Sequence, residues 1–334
     1  MATTPQTNTT FDGIVDVLKA YDDFVICGHV GPDGDCLSSQ LALWHALRAI
    51  GKNATCLLVK DEPVSIDLAF MPGIEKMVPA CEYDGPARVF VGVDVPSRER
   101  IGEAACAILD ASETSITIDH HAADVAMCEH VYVDPDSASA SLLVWEVVKR
   151  LVDDVPHECA LCVYTGLVTD TGGFRYKHAD SKAFARASEL MAYVVDPSYV
   201  ATQVYQNRTL ASVKLESIMA SRIEFVHGMD VAISWVTAGE MAALNAVKSD
   251  TEPLINTLRS IRGVRIACML REQDGVIRGS LRAKDETDVA SLAKKLGGGG
   301  HRAAAGLTLH MTLEEAIALM REQLEILARD GEVA

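Results

Sequence analysis

Four apolar runs in the first half of this chain each end on a carboxylate or an imidazole, and that pattern restricts the fold more than any other feature. The most concentrated case is SITIDHHAAD. Residues 115–118 are mostly β-branched and read as a short buried strand, with Asp119, His120 and His121 at its end. Three adjacent side chains able to bind a metal or move a proton have no packing rationale there. FVICGH (24–29) runs into the loop VGPDGDCLSS, RVFVGV (88–93) delivers Asp94, and the helical run 156–168 leads to Asp170 in TDTGG.

Strands and helices alternate through this half. A helix is expected over 12–21, a strand over 24–29, and a helix over 39–50 capped by Ser38 and stopped by Gly51. Further strands are expected over 55–59, 88–93 and 116–118. That order predicts an α/β fold, a doubly wound and mainly parallel sheet. Right-handed crossovers put the strand ends on one edge, where such sheets present groups to a ligand. A short strand then ends at Asp134, Ser137 caps a helix to about residue 151, and helices cover 156–168 and 181–193. Residues 1–10 are Thr-rich and read as disordered.

Composition shifts at Asp196-Pro197, so three segments are expected: residues 1–195, a polar helical connector over 196–225, and a smaller α/β domain over 226–334. The last should hold a strand over 231–236, helical stretches near 237–247 and 252–260, and a hairpin of 264–270 with 275–281 turning at Asp274-Gly275. A short helix over 288–296, the run GGGGH (297–301), a strand near 307–310 and a helix over 312–329 complete it.

The length of 334 residues and 49% hydrophobic content suffice for two cores. A net charge of -17 argues against a binder of long duplex DNA, which needs a basic footprint, but is compatible with a short anionic substrate. The nine cysteines lie in apolar runs and read as reduced, buried thiols of a cytoplasmic protein, the Cys159/Cys162 pair included. The N-terminus lacks a signal-peptide pattern, and no apolar stretch approaches the roughly 20 residues that span a bilayer, so a soluble protein is expected.

His29, Asp33 and Asp35 form an H-x-x-x-D-x-D spacing, and alternate Asp residues around Gly34 can point to two neighbouring cation positions. Imidazole mixed with carboxylate suits a first-row metal such as Mn²⁺ better than Ca²⁺. Converging carboxylates repel unless cations neutralise them. Two metals about 3.5–4 Å apart, sharing a carboxylate and a water, would do so. The shared water then becomes a nucleophile at neutral pH, which is the chemistry of phosphoester hydrolysis. Each residue alone has a plainer reading: His29 as a core histidine, Asp33 and Asp35 as turn formers beside Pro32 and Gly34, Asp94 and Asp170 as element ends. Four such ends carrying acids by accident is the weaker account.

HVGPDGD, the VD of VGVDVPS, the DHH of TIDHH and the TD of VTDTGGF resemble, in order, the four motifs of the DHH phosphoesterase superfamily. GGGGHRAAAG resembles the signature of the DHH-associated domain of its nanoRNase and RecJ-like branch, which the superfamily's pyrophosphatases lack. The resemblance covers nearly the whole chain, whose length is most similar to that of the bifunctional nanoRNases. It implies hydrolysis of very short oligoribonucleotides to nucleoside 5′-monophosphates, and of 3′-phosphoadenosine 5′-phosphate (pAp) to AMP, by a hydroxide bridging two divalent ions, Mn²⁺ foremost, in a cleft between two domains. It implies His29, Asp33 and Asp94 at the first metal, and Asp35, Asp94, His120 and Asp170 at the second, with Asp94 bridging. His121 would face the scissile phosphate and Asp119 would orient the histidines. In the second domain Gly298, Gly299, Gly300 and His301 would approach a phosphate or base, and Arg282 would clamp the terminal phosphate, with Ser280 and Arg302 as lesser contacts.

The expected partners are short RNA or DNA oligonucleotides, dinucleotides and pAp, with no long duplex and no membrane. The apolar helices of the first domain could support a homodimer. Two other readings stay open: a phosphodiesterase for cyclic di-AMP or its linear products (pApA, pGpG), and a nucleotide sensor without catalysis.

Overall fold

A parallel sheet organises the first half of the chain. In chain order its strands are β1 (Phe24–Cys27), β2 (Ala54–Leu58), β3 (Val78–Pro79), β4 (Val89–Val93), β5 (Thr114–Asp119) and β6 (His130–Val133). They lie side by side as β3-β2-β1-β4-β5-β6, with every neighbour pair parallel. Chain order reverses between β1 and β4. At such a switch point open α/β sheets hold ligands just beyond the carboxyl ends of the strands. The computed structural model describes residues 6–122 and 125–330, apart from the side chains of His301 and Asp330. By internal contacts the chain divides into Met1–Asn207 and Arg208–Ala334.

The helices of the first unit are α1 (Phe11–Ala20), α2 (Gly34–Ala49), α3 (Arg98–Ala111), α4 (Ala140–Leu151), α5 (His157–Asp170), α6 (Ser181–Met191) and α7 (Pro197–Tyr205). Alternate strand residues face opposite sides. Phe24 and Ile26 of β1, Val91 and Val93 of β4, and Ile116 and Ile118 of β5 pack under α1, α2, α4 and α5. Val25, Cys27, Phe90 and Val131 face Ile101, Ala105 and Leu109 of α3. The sheet is wound on both faces, as the element order predicts, with most of the helical mass on one. No periodicity announced α3, because Gly102 sits inside it at φ 72 and breaks the repeat.

Two caps differ from expectation. Helix α2 starts five residues early, because Asp33 caps it by accepting from the main-chain N–H groups of Asp35 and Cys36, both at 3.1 Å. Ser38, the expected cap, is buried inside the helix. Ser139, not Ser137, caps α4.

The expectation of disorder through residue 10 also fails for its second half. Asn8 exchanges hydrogen bonds with Val131 at 3.0 and 2.8 Å, Thr7 with Val133 at 3.1 and 3.0 Å, and Thr10 caps α1. Short polar side chains thereby satisfy the open edge of β6. Residues 1–5 of that segment lie outside the described part.

Helices α2, α4 and α5 meet at Gly166. A Cβ there would stand 2.5 Å from Ser38 Oγ, 2.5 Å from Ser141 Oγ and 2.7 Å from Asp35 Oδ1. Gly166→Ala is therefore expected to destabilise the protein by about 1–3 kcal/mol through overpacking, read as a lowered melting temperature. An unchanged melt would show that the three helices can move apart freely.

The second unit is built on a mixed sheet of β7 (Glu224–Val226), β8 (Val231–Val236), β9 (Ile266–Gln273), β10 (Val276–Ala283), β11 (Gly299–His301) and β12 (Ala304–Leu309), ordered β11-β12-β10-β9-β8-β7. Only β8 and β9 run parallel; the other pairs are antiparallel. Its helices are α8 (Leu210–Ala220), α9 (Ala238–Ala243), α10 (Leu254–Ser260), α11 (Val289–Lys295) and α12 (Leu313–Asp330). Leu215 of α8 and Leu258 of α10 cover one face through Ala267 and Met269, while Leu292 of α11 and Met320 of α12 cover the other through Cys268 and Leu281. Asp274 and Gly275 turn the β9–β10 hairpin at φ 53 and 75, the left-handed pair that Asp-Gly favours.

The stretch 196–225 does not form a body of its own. Val200 of α7 belongs to the core of the first unit, and Leu215 and Met219 of α8 to a core of the second. Among the described residues no helix is long and apolar enough to cross a membrane.

Candidate active site

The carboxyl ends of β1, β4 and β5, with the start of α2 and the end of α5, bring eight of the expected residues together. His29 follows β1 and is 7% exposed. Its Nδ1 is 3.1 Å from the Val30 carbonyl, which leaves Nε2 3.5 Å from Asp94 Oδ2 and 3.8 Å from Asp33 Oδ1. Asp94 follows β4, and its main-chain N–H donates to Ile118 at 3.0 Å. Its φ of 53 is left-handed, a conformation that the short Asp side chain tolerates.

Beyond β5, His120 turns Nδ1 toward the Ser137 carbonyl at 3.2 Å and Nε2 toward Asp94 Oδ1 at 3.4 Å, with Asp35 Oδ2 and Asp170 Oδ2 each 3.9 Å away. For both His29 and His120 a carbonyl occupies one ring nitrogen, so Nε2 is the nitrogen available to a cation. His121 differs: its Nδ1 is 2.8 Å from Asp119 Oδ1 and 3.4 Å from Asp94 Oδ1. Asp119 orients the His121 ring directly but reaches His120 only through its main-chain N–H, at 2.8 Å.

Asp35 lies in the first turn of α2, fully buried, and both its oxygens are held. The N–H groups of Ala140 and Ser141, at the start of α4, donate to Oδ2 at 2.6 Å and Oδ1 at 3.0 Å. The positive end of that helix supports a carboxylate there. Asp94 Oδ1, by contrast, is buried and accepts no hydrogen bond, and the same holds for Asp119 Oδ2.

The electrostatics of the cluster agree. Burial opposes ionisation of Asp94, yet His120 and His29 outweigh it and hold the carboxyl below the usual range. Burial and the neighbouring Asp94 charge push Asp35 up to about 7. Burial and Asp35 raise Asp170 as well. His29 is drawn up to about 10, because Asp33 and Asp94 overcome the burial that would lower it. Carboxylates that keep protons and imidazoles that gain them report one condition, a negative field short of positive charge. Asp94, His120 and His121 form one group of convergent donors, and Asp35, His120 and Asp170 another. Mixed imidazole and carboxylate donors around an unbonded carboxylate oxygen fit divalent cations.

Over residues 23–167 the chain matches the DHH family, N-terminal domain, and over residues 228–326 the DHHA1 domain; together these span more than two thirds of its length. The chain belongs to the DHH family. It is 28% identical to the bifunctional oligoribonuclease and PAP phosphatase NrnA of Thermus thermophilus over 93% of each chain. It is 26% identical to the protein of the same name in Bacillus subtilis, over 96% of this chain and 99% of that one. Among solved structures, an exopolyphosphatase-related protein from Bacteroides fragilis superposes with a TM-score of 0.89 at 28% identity, covering 96% of both chains.

In this DHH protein the eponymous triplet is Asp119, His120 and His121, and its three members have distinct surroundings. Two nearby residues escaped the sequence reading. Cys36 Sγ accepts from the His29 main-chain N–H at 3.3 Å and groups with His29 and Asp94. His178 Nε2 lies 3.0 Å from the Asp170 carbonyl and 3.8 Å from its Oδ2. The position of Cys36 directly after Asp35 was the available signal for the first.

The DHHA1 residues gather on the second sheet, in the other unit. Register aligns Ser280 with Gly306 and Arg282 with Ala304 across β10–β12, and Gly299 with Gly306 across β11–β12. Ser280, Arg282 and Gly299 therefore share one face of the sheet. Gly298 and Gly300 are required for another reason: a Cβ on either would meet β12 main chain, at 2.2 Å from the Gly306 oxygen and 2.5 Å from the Ala304 oxygen. Gly299 has open space beside it. His301 ends β11, with its side chain outside the described part, and Arg302 donates to the Glu286 carbonyl at 2.6 Å.

Proposed function

We propose that this chain is a metal-dependent phosphoesterase that hydrolyses very short oligoribonucleotides to nucleoside 5′-monophosphates and converts pAp to AMP and phosphate. The observation that carries the reading is Asp94, a buried carboxylate with one oxygen unbonded, ringed by His29, His120 and His121. The relatives over nine tenths of the chain, named as oligoribonucleases and PAP phosphatases, support the substrate class.

In this reading His29, Asp33 and Asp94 hold one divalent ion, and Asp35, Asp94, His120 and Asp170 the other, with Mn²⁺ preferred. Such ions supply charge stabilisation at phosphorus and lower the pKa of a water. The remaining work falls to the protein. The Val30 and Ser137 carbonyls aim the two ligand imidazoles, and the start of α4 fixes Asp35. Asp119 holds His121 at Nδ1, so its Nε2 is the nitrogen that can donate to the phosphate or to the leaving oxygen. Arg282, Ser280, Gly298, Gly299, Gly300 and His301 would bind the non-reacting end of the substrate, Arg282 as a forked donor to phosphate.

Incubation with Mn²⁺ and 5′-labelled RNAs of two to five nucleotides, a strand several times longer, and pAp tests the reading. Mononucleotide release from the short RNAs, AMP from pAp and slow attack on the long strand are expected. Cleavage of cyclic di-AMP or pApA alone would replace the substrate while keeping the chemistry. No cleavage with any divalent metal would overturn the enzymatic reading.

A further inference from the structure

Directly after Asp170 the chain makes a tight left-handed loop. Gly172, Gly173 and Phe174 have φ values of 57, 69 and 61. The loop is held from several sides: Gly173 N–H donates to Val168 at 2.7 Å, and Arg175 and Tyr176 N–H to Thr171 at 3.0 and 3.1 Å. The Tyr205 hydroxyl donates to Val168 at 3.0 Å, and the Arg175 guanidinium lies over the Tyr205 ring at 5.6 Å. A bulky residue at positive φ is costly, so surroundings that enforce it at Phe174 invite a functional account.

The loop and the start of α6 read RYKHADSKAFAR, four Lys or Arg against one Asp, in a chain whose net charge is -17. Arg175, Lys177, His178 and Lys182 are exposed. Phe184 is 54% exposed, with its ring stacked on Phe174 at 4.9 Å and 27°. His178 joins this surface to the site through its 3.0 Å approach to the Asp170 carbonyl. Arg186 is committed elsewhere, to Glu146 and Glu189 at 2.6 Å each.

We propose that this surface holds the nucleotides of a short single strand that lie beyond the scissile phosphate, one base on the exposed face of Phe184 and phosphates on Lys177 and Lys182. The proposal rests on the phosphoesterase reading and adds the part of the first unit that recognises strand length. An exposed aromatic ring set among cations binds single strands whatever their sequence. The acidic balance of the chain makes this basic stretch the complementary place for a polyanion. An acidic peptide would use the lysines and leave the ring without a role.

The test uses the full chain as wild type, Phe184→Ala, and Lys177→Gln combined with Lys182→Gln. kcat/KM is measured on a 5′-labelled five-nucleotide RNA and on pAp, which has no nucleotide beyond the one attacked. In Phe184→Ala the ratio of the two should shift against the RNA by about tenfold. In the lysine double variant the salt dependence of the five-mer should weaken by about one unit of log–log slope. Equal losses on both substrates, or none, would overturn the inference and leave the proposed function standing. Should wild type hydrolyse neither substrate, the proposed function falls, and anisotropy of the labelled five-mer decides the surface. Weaker binding by Phe184→Ala keeps the proposal, and equal binding ends it.

Discussion

Replacing Asp94 with Asn is expected to lower kcat on both pAp and short RNA by about 10³-fold or more. This exceeds the 10²–10³ typical of removing one stabilising hydrogen-bond donor, because both proposed cation positions share this carboxylate. Asn is the informative substitution. It keeps the size of the side chain and tolerates the left-handed φ of 53, so the backbone after β4 has no new strain. What is lost is charge, at a group that faces His29, His120 and His121 together. Circular dichroism and gel filtration separate loss of chemistry from loss of fold. A folded variant within tenfold of wild type would mean that Asp94 does not join the two positions.

Divalent metal is expected to stabilise the protein more at pH 8 than at pH 6. In the metal-free protein Asp35 is raised to about 7, first by burial and then by the Asp94 charge. An unfolded Asp ionises near 4. A carboxyl with a folded value above its unfolded value contributes stability that is complete below the unfolded value and is lost as pH rises through the folded one. The contribution of Asp35 therefore disappears between about pH 4 and 7. Asp170, raised by burial and by Asp35, acts in the same sense. His29 also has the same sign, and its contribution is lost progressively between about pH 6.5 and 10. A cation takes the place of these protons, so its benefit is greatest once they have gone. With Mn²⁺ at one fixed concentration, a hundredfold over its Kd at pH 8, a gain in melting temperature of about 5–10 °C is expected at pH 8, smaller at pH 6 and abolished by chelator. An equal gain at the two pH values would contradict the role of Asp35 and Asp170.

The strands that build the site were legible because a parallel strand is buried on both faces and reads as an unbroken apolar run. VFVGV and SITI end where Asp94 and Asp119 begin, so the acids stand out. The partners that aim them were not legible. The Ser137 carbonyl behind His120 and the Ala140 and Ser141 N–H groups behind Asp35 are main-chain atoms with no side-chain signature. Asp33 hid a cap behind a ligand motif, since the carboxylate aligned with His29 also starts α2.

The glycine run carries a similar ambiguity. Composition shows a chain free to approach something, and only the pairing with β12 shows that Gly298 and Gly300 approach that strand. The basic stretch after Asp170 was masked by the charge of the whole chain, which averages away a local reversal of sign.

The members of the centre are also spread widely along the chain. His29 follows the first strand, whereas Asp170 is the last residue of α5, and the groups that fix Asp35 come from the start of α4. On a growing polypeptide none of the convergent donor sets that include Asp170 exists until α5 has left the ribosome and packed against α2. Metal bound through Asp170 therefore cannot template the early steps of folding, which fall to the apolar strands and helices themselves. It acts afterwards, as a clasp on a finished unit. Interactions that form late slow unfolding without speeding folding, so metal starvation in a cell would shorten the lifetime of the native protein and leave its rate of production untouched.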